Sequence, residues 1–211
     1  MTFEAARLDR YAERITTGLA YLGGLLILPM LFAYLGNIRW NGLLIPSTVA
    51  GLIWLFLLLA YAEQPRAYRI EEAHLVVQRR WLRALRIPLG DITGVSFAPG
   101  LSGVPHVGLR FALNPGVFGY QGPFYLRPYG RAFFLATNRE LLVSLARVAP
   151  ASREPLPPLI ISPANPRAFA QALNEQRQKL RTGRGEQEVL AILDLPVNRR
   201  HAAIAEHLVD A

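Results

Sequence analysis

At 211 residues, the chain has room for a pair of membrane-length helices and one domain of ordinary size. It contains no cysteine, which excludes disulfides, Cys-ligated zinc and thiol nucleophiles. Its net charge of +8 is concentrated late, with 19 basic against 12 acidic residues from Glu63 onward and Lys179 the one lysine; a basic face beside an anionic leaflet, an arginine-rich codon usage, or binding of nucleic acid or lipid headgroups would each produce that balance.

Hydrophobic residues make up 52% of the chain and the mean hydropathy is +0.22, with the excess lying before residue 63. Residues Met1–Arg14 mix Arg7, Arg10 and Arg14 with Glu4, Asp9 and Glu13, while Phe3, Leu8, Tyr11 and Ile15 recur at helical spacing. The pattern predicts a short interfacial helix over 1–14. A signal peptide fits poorly, because the apolar run that follows is too long for an h-region and a second run comes at once.

Two apolar runs, Ile15–Ile38 and Trp40–Ala62, are interrupted only by Arg39, and neither contains Lys, Arg, Asp or Glu. At about 1.5 Å per residue, each can cross a hydrocarbon core of roughly 30 Å. They predict a transmembrane helical hairpin over 15–62. Pro29 should kink the first span, which a neighbouring helix tolerates. Ala20 and Gly24, and likewise Ser47 and Gly51, are four residues apart, a spacing that allows close helix approach and leaves a homo-oligomer open. The turn-rich connection places Arg39 and Trp40 as interface anchors. Arg7, Arg10 and Arg14 precede the spans and Arg66, Arg69, Arg79 and Arg80 follow them, so the positive-inside rule puts both termini in the cytoplasm.

After Arg66 the pattern changes to short strand-like pieces: Ala67–Glu71, His74–Arg80, Leu82–Pro88, Ile92–Phe97, Val107–Ala112, Arg131–Thr137, Leu141–Arg147 and Leu159–Ser162, most of them separated by turn residues. Many short strands imply a sandwich or barrel with antiparallel pairing. Val148–Pro158 reads as a long Pro-rich loop. Asn165 is a good N-cap with Pro166 at the first helical position. Phe169, Leu173 and Leu180 supply an apolar stripe, and Gly183 and Gly185 are expected to end the helix. The tail 185–211 reads as two short helices, Glu186–Leu195 and Asn198–Val209, broken at Pro196; without a third helix or a basic recognition face it does not predict DNA binding, and a docking arm suits it better.

Several pieces, in order, carry a resemblance. They are Arg86-Ile87-Pro88-Leu89-Gly90-Asp91-Ile92, then Gly116-Val117-Phe118-Gly119-Tyr120-Gln121-Gly122-Pro123-Phe124, then Ala136-Thr137-Asn138, and finally Ile160-Ile161-Ser162-Pro163 leading to Asn165-Pro166 and Phe169. Over roughly Arg66 to Arg181 the chain resembles the bacterial pleckstrin-homology-like (bacterial PH) family. The resemblance implies a domain over 66–182 with about seven antiparallel strands in a partly open barrel and a C-terminal capping helix. It also implies a membrane-tethered binding or scaffolding module rather than an enzyme, at the inner (cytoplasmic) membrane of a bacterium.

The residues themselves point away from chemistry. Gly116, Gly119 and Gly122 lack the Lys-Ser/Thr of a P-loop and the strand–helix setting of a dinucleotide fingerprint, so they read as a turn with aromatic packing. His74, His106, His201 and His207 show no metal-ligand spacing, no serine has an activating motif, and no carboxylate pair stands out. No catalytic residue, metal or cofactor is expected. The interaction candidate is Gln78–Arg86: as a strand it would put Arg79, Trp81 and Arg83 on one face. With Arg66, Arg69, Arg80 and Arg86 these residues form a candidate membrane or lipid contact, each charge gaining about 1 kcal/mol near an anionic leaflet. An edge strand guarded by arginines against pairing would look the same. The expected partners are the lipid bilayer, an unidentified membrane or cytoplasmic protein and anionic lipid, with no nucleic acid. Three readings follow: an interaction or scaffolding module, an anionic-lipid sensor, or an accessory subunit of a transporter or membrane enzyme complex.

Overall fold

The computed structural model describes residues 1–36, 43–97, 109–110, 114–126 and 130–193. Arg39, Trp40, His106, His201, His207 and the tail from residue 194 lie outside the described residues. Two helices, α1 (Arg10–Leu35) and α2 (Leu44–Glu63), pack side by side and are long and apolar enough to cross a membrane. Of their most apolar windows, only 11% and 17% of the residues are buried within the chain. Leu25, Leu31, Leu52 and Leu59 are among the side chains left exposed. Gly23, not Gly24, sits at the helix contact: a β-carbon on it would lie 3.1 Å from Ile53 and from Trp54, whereas one on Gly24 or Gly51 would meet nothing within 4 Å.

The first nine residues are not helical, and α1 begins only at Arg10, so the expected interfacial helix over 1–14 is not formed as such. Thr2–Glu4 forms strand β1, which pairs antiparallel with β2 (Pro65–Ile70). The apolar spacing from Phe3 to Ile15 fits a helix, but β2 offers a row of unpaired backbone groups and the core beneath accepts Phe3. Strands β3 (His74–Arg79) and β4 (Leu85–Pro88) complete a four-stranded sheet in the order β1-β2-β3-β4. A 3-10 turn, Leu89–Asp91, leads to β5 (Ile92–Phe97).

The second sheet contains β5, β6 (Leu109–Arg110), β7 (Asn114–Gly116), β8 (Gly119–Leu126), β9 (Gly130–Ala136), β10 (Val143–Val148) and β11 (Pro155–Ile161). Its order is β5-β10-β11-β9-β8-β6, with β7 paired to β8. The two sheets do not close into a barrel, so the partly open arrangement implied by the resemblance is open between the sheets. Among the described strands, pairing is antiparallel except between β9 and β11, which run parallel. The Pro-rich segment is shorter as a loop than expected: β10 runs to Val148 and β11 begins at Pro155, so the loop is Ala149–Glu154. Prolines 155, 157 and 158 hid that strand, because a proline removes a ladder donor.

Helix α3 (Pro166–Leu193) starts where the sequence places it, with Asn165 Oδ1 accepting from the Ala168 amide at 3.1 Å. It continues through Gly183 and Gly185 to Leu193, so the expected break and the first tail helix are absorbed into one long helix. Glycine lowers helix stability by only about 1 kcal/mol, which does not stop a helix already under way. Phe169 and Leu173 are fully buried against Tyr68, Leu75, Val77, Leu145 and Leu159, while Leu180 is exposed. Each such buried side chain contributes about 2–3 kcal/mol of hydrophobic stabilisation. A second core lies in the other sheet, where the Phe124 and Phe134 rings sit 4.6 Å apart.

Candidate functional site at the helix stem

The last carbonyls of a helix have no intrahelical partner. At the end of α2, the loop between β3 and β4 supplies partners. The Ala62 carbonyl accepts from the amides of Trp81 (3.1 Å) and Leu82 (3.3 Å), and the Gln64 carbonyl accepts from that of Arg80 (3.1 Å). The Arg80 side chain donates to Gln64 Oε1 at 2.8 Å and to the Tyr61 hydroxyl at 3.0 Å. Its guanidinium carbon lies 4.7 Å from the centroid of the same tyrosine ring. A cation there complements the negative end of the helix dipole and the ring face. Arg79 folds the loop over, donating twice to the Arg83 carbonyl at 3.0 and 2.6 Å. Trp81 packs edge-on against Tyr61 with centroids 5.3 Å apart, yet remains 65% exposed, beside Leu82 at 43%.

A second hairpin tip reaches the same place. Asn114 is buried and builds the turn: its amide donates to the Val117 carbonyl (2.6 Å) and Gln121 Oε1 (2.8 Å), while Oδ1 accepts from the Val117 amide (2.8 Å). Gly116 and Gly119 face each other across the two-residue turn Val117–Phe118. Gly119 has φ +119°, and a β-carbon there would lie 2.6 Å from the Ala136 carbonyl oxygen, so glycine is required. Val117 buries itself with Leu57 and Ala60 of α2. The Phe118 amide donates to Thr16 Oγ1 of α1 at 2.8 Å, and its ring meets Tyr61 edge-on at 5.2 Å.

The root of α1 is bonded to the second sheet as well. Asp9 is the N-cap, accepting from the Ala12 amide at 2.8 Å. The same carboxylate accepts from the Tyr120 hydroxyl (3.0 Å) and the Arg139 amide (3.1 Å), and Arg139 Nε stands 3.8 Å away. The Arg139 guanidinium lies over the Tyr11 ring, 5.0 Å from its centroid. Burial, and then the Asp9 charge, raise the Tyr120 phenol well above the usual tyrosine range.

The structure gathers some of the sequence candidates and disperses others. Arg79, the last residue of β3, and Arg80, Trp81 and Arg83 of the loop after it gather at the end of α2, and they do not lie along one strand face. Arg69 pairs with Glu71 at 3.5 Å. Arg86 stands opposite Val76 on β4, and Arg66 is exposed on β2 next to the helix junction. Sequence reading missed Tyr61, Thr16, Val117, Phe118 and Asp9. Nothing local marks Tyr61 or Thr16. The rhythm of glycines around Phe118 marked a tight turn without showing what that turn touches.

Just over half of the chain, residues 66–177, matches the family model described as Bacterial PH domain. The chain belongs to the bacterial PH domain family. No curated protein and no solved structure matches it. The bacterial PH match begins at Arg66, so β1, which forms the outer strand of the first sheet, comes from outside the matched region. One residue, Gln64, separates α2 from β2.

Proposed function

We propose that this bacterial PH protein is a two-pass membrane protein whose domain works as a non-enzymatic interaction module, with both termini on the cytoplasmic side. One observation carries the reading. The apolar helices join the domain through a single residue, and both hairpin tips brace the stem. A module joined in this way is presented to its partners at a set height and angle above the bilayer. Among the described strands, β4 and β5 are sheet edges, and they offer a strand-pairing surface for a protein partner. Reporter enzymes active only outside the cytoplasm, fused after Gly36 and after Leu193, test the topology. Activity at the first and silence at the second are expected; the reverse, or silence at both with release of the protein by alkaline carbonate, would refute it.

A second reading, contact with anionic lipid, is favoured by the exposure of Trp81 and Leu82 beside Arg83. Exposed apolar side chains next to an arginine suit the headgroup layer. Its test uses the full chain with Trp40→Phe and Trp54→Phe, so that Trp81 is the sole indole, in neutral and anionic nanodiscs. A blue shift in anionic discs that high salt and Arg83→Glu both remove supports lipid contact. Identical spectra in both discs would sink it.

A further inference from the structure

The lengths of the two helices locate the second hairpin tip. On α1 the uncharged stretch runs from Ile15 to Leu35, and on α2 from Leu44 to Ala62. At about 1.5 Å per residue these rise about 31 and 28 Å, close to the roughly 30 Å of a hydrocarbon core. Neither helix has slack, so the edge of the core falls near Ile15 and Ala62. Thr16 and Ala60, which hold the turn Val117–Phe118, lie just inside that edge. The Val117 cluster goes deeper, reaching Leu57 and the partly buried Leu19, Ala20 and Ile53.

Two independent features agree. Phe118 adopts φ +53°, a left-handed conformation that costs a bulky residue and persists only where surroundings impose it. The strain aims an apolar pair, not a polar turn, at the helices. Beside it, Phe118 and Trp81 both pack edge-on against Tyr61, so rings from the two hairpins and α2 form an aromatic row. Such a row matches the aromatic belt of a membrane interface.

We infer that the Val117–Phe118 turn of the PH domain is a third membrane-contacting element, seated in the leaflet nearest the domain, with phospholipid covering the part of Phe118 that the protein leaves open. The inference rests on the membrane reading above and adds that the domain itself enters the bilayer surface.

The absence of cysteine makes the test direct. Single spin labels are placed at Phe118→Cys, at Leu28→Cys on the exposed face of α1, and at Glu72→Cys on the turn after β2, each in the full chain in liposomes. Collisions with oxygen report hydrocarbon and those with a water-soluble nickel chelate report water. Position 118 is expected to show an oxygen-to-nickel ratio several-fold above that of position 72 and below that of position 28. If position 118 matches position 72 while position 28 is shielded from nickel, the turn is aqueous and this inference fails, with the membrane reading intact. If position 28 is also open to nickel, both fail. A benzophenone analogue of phenylalanine at position 118, which keeps the aromatic ring, guards against a misfolded cysteine variant. Photocrosslinks to phospholipid support the inference, and crosslinks confined to the protein overturn it.

Discussion

Tyr120 donates its hydroxyl proton to Asp9 across 111 positions of chain, at 3.0 Å. The acceptor is the carboxylate that caps α1, and the donor stands near the start of β8 in the second sheet. The start of the first apolar helix is therefore a bonded part of the domain, as the end of the second is through Arg80 and Tyr61. Motion of the domain and tilt of the helices are coupled through these two roots.

Asp9→Ala removes a helix cap and leaves the buried Tyr120 hydroxyl and Arg139 amide without an acceptor. The expected loss is about 2–4 kcal/mol. Asp9→Asn keeps a capping oxygen and should cost less than half as much. Thermal unfolding of the detergent-solubilised protein, read by circular dichroism, checks the order Ala worse than Asn; equal effects would mean that the carboxylate charge matters and the capping oxygen does not.

Alkaline pH should destabilise the fold through two phenols. Burial pushes Tyr68 up to about 12 and also raises Tyr120, whose second cause is the Asp9 charge. In the unfolded chain both titrate near 10. Above that pH the folded state holds protons that the unfolded chain has lost. The stability they contribute is whole below pH about 10 and falls as pH rises, by at most about 1.4 kcal/mol per unit for each tyrosine. Urea unfolding midpoints measured through this range should drop, and Tyr68→Phe with Tyr120→Phe should flatten the slope.

The segment ahead of the helices should matter to the domain although it lies outside the family match. Phe3 meets the Phe169 ring edge-on at 5.4 Å and packs on the main core. Ala6 exchanges hydrogen bonds with Ser162 and Thr137. Phe3→Ala should cost about 2–3 kcal/mol, less than a fully buried phenylalanine. A fragment starting at Arg66 should be less stable still and prone to associate, because β2 becomes an open edge. Sedimentation of that fragment against one carrying β1 decides the point.

Between the helices, Gly23→Val should force Ile53 and Trp54 apart, whereas Gly24→Val should not, since a side chain there enters open space. Trp54 emission and thermal stability in detergent should change for the first and hold for the second. In the domain, Gly119→Ala should cost about 2 kcal/mol or more from strain and the clash with Ala136.

Much of this organisation was legible along the chain because its signals are local. The charge-free runs marked α1 and α2, Asn165-Pro166 marked the start of α3, and Ile92–Phe97 was read to the residue. The strand read over 107–112 falls largely outside the described residues, which include only Leu109–Arg110 of it. Strand β8 was missed because glycines at 119 and 122 and a proline at 123 are turn residues by composition; seven consecutive pairings with β9 override them.

What the sequence by itself determined is the order of parts: two apolar helices, a mainly-β domain and a capping helix. Periodicity and composition suffice for that, since each reports on a few neighbouring residues. Only the tertiary structure decided that Thr2–Glu4 is a strand, that the sheets stay open, and that Arg80, Tyr61 and Phe118 meet at the helix stem. Those outcomes depend on pairings between residues 19 to 102 positions apart, where the gain comes from partners that no local pattern names.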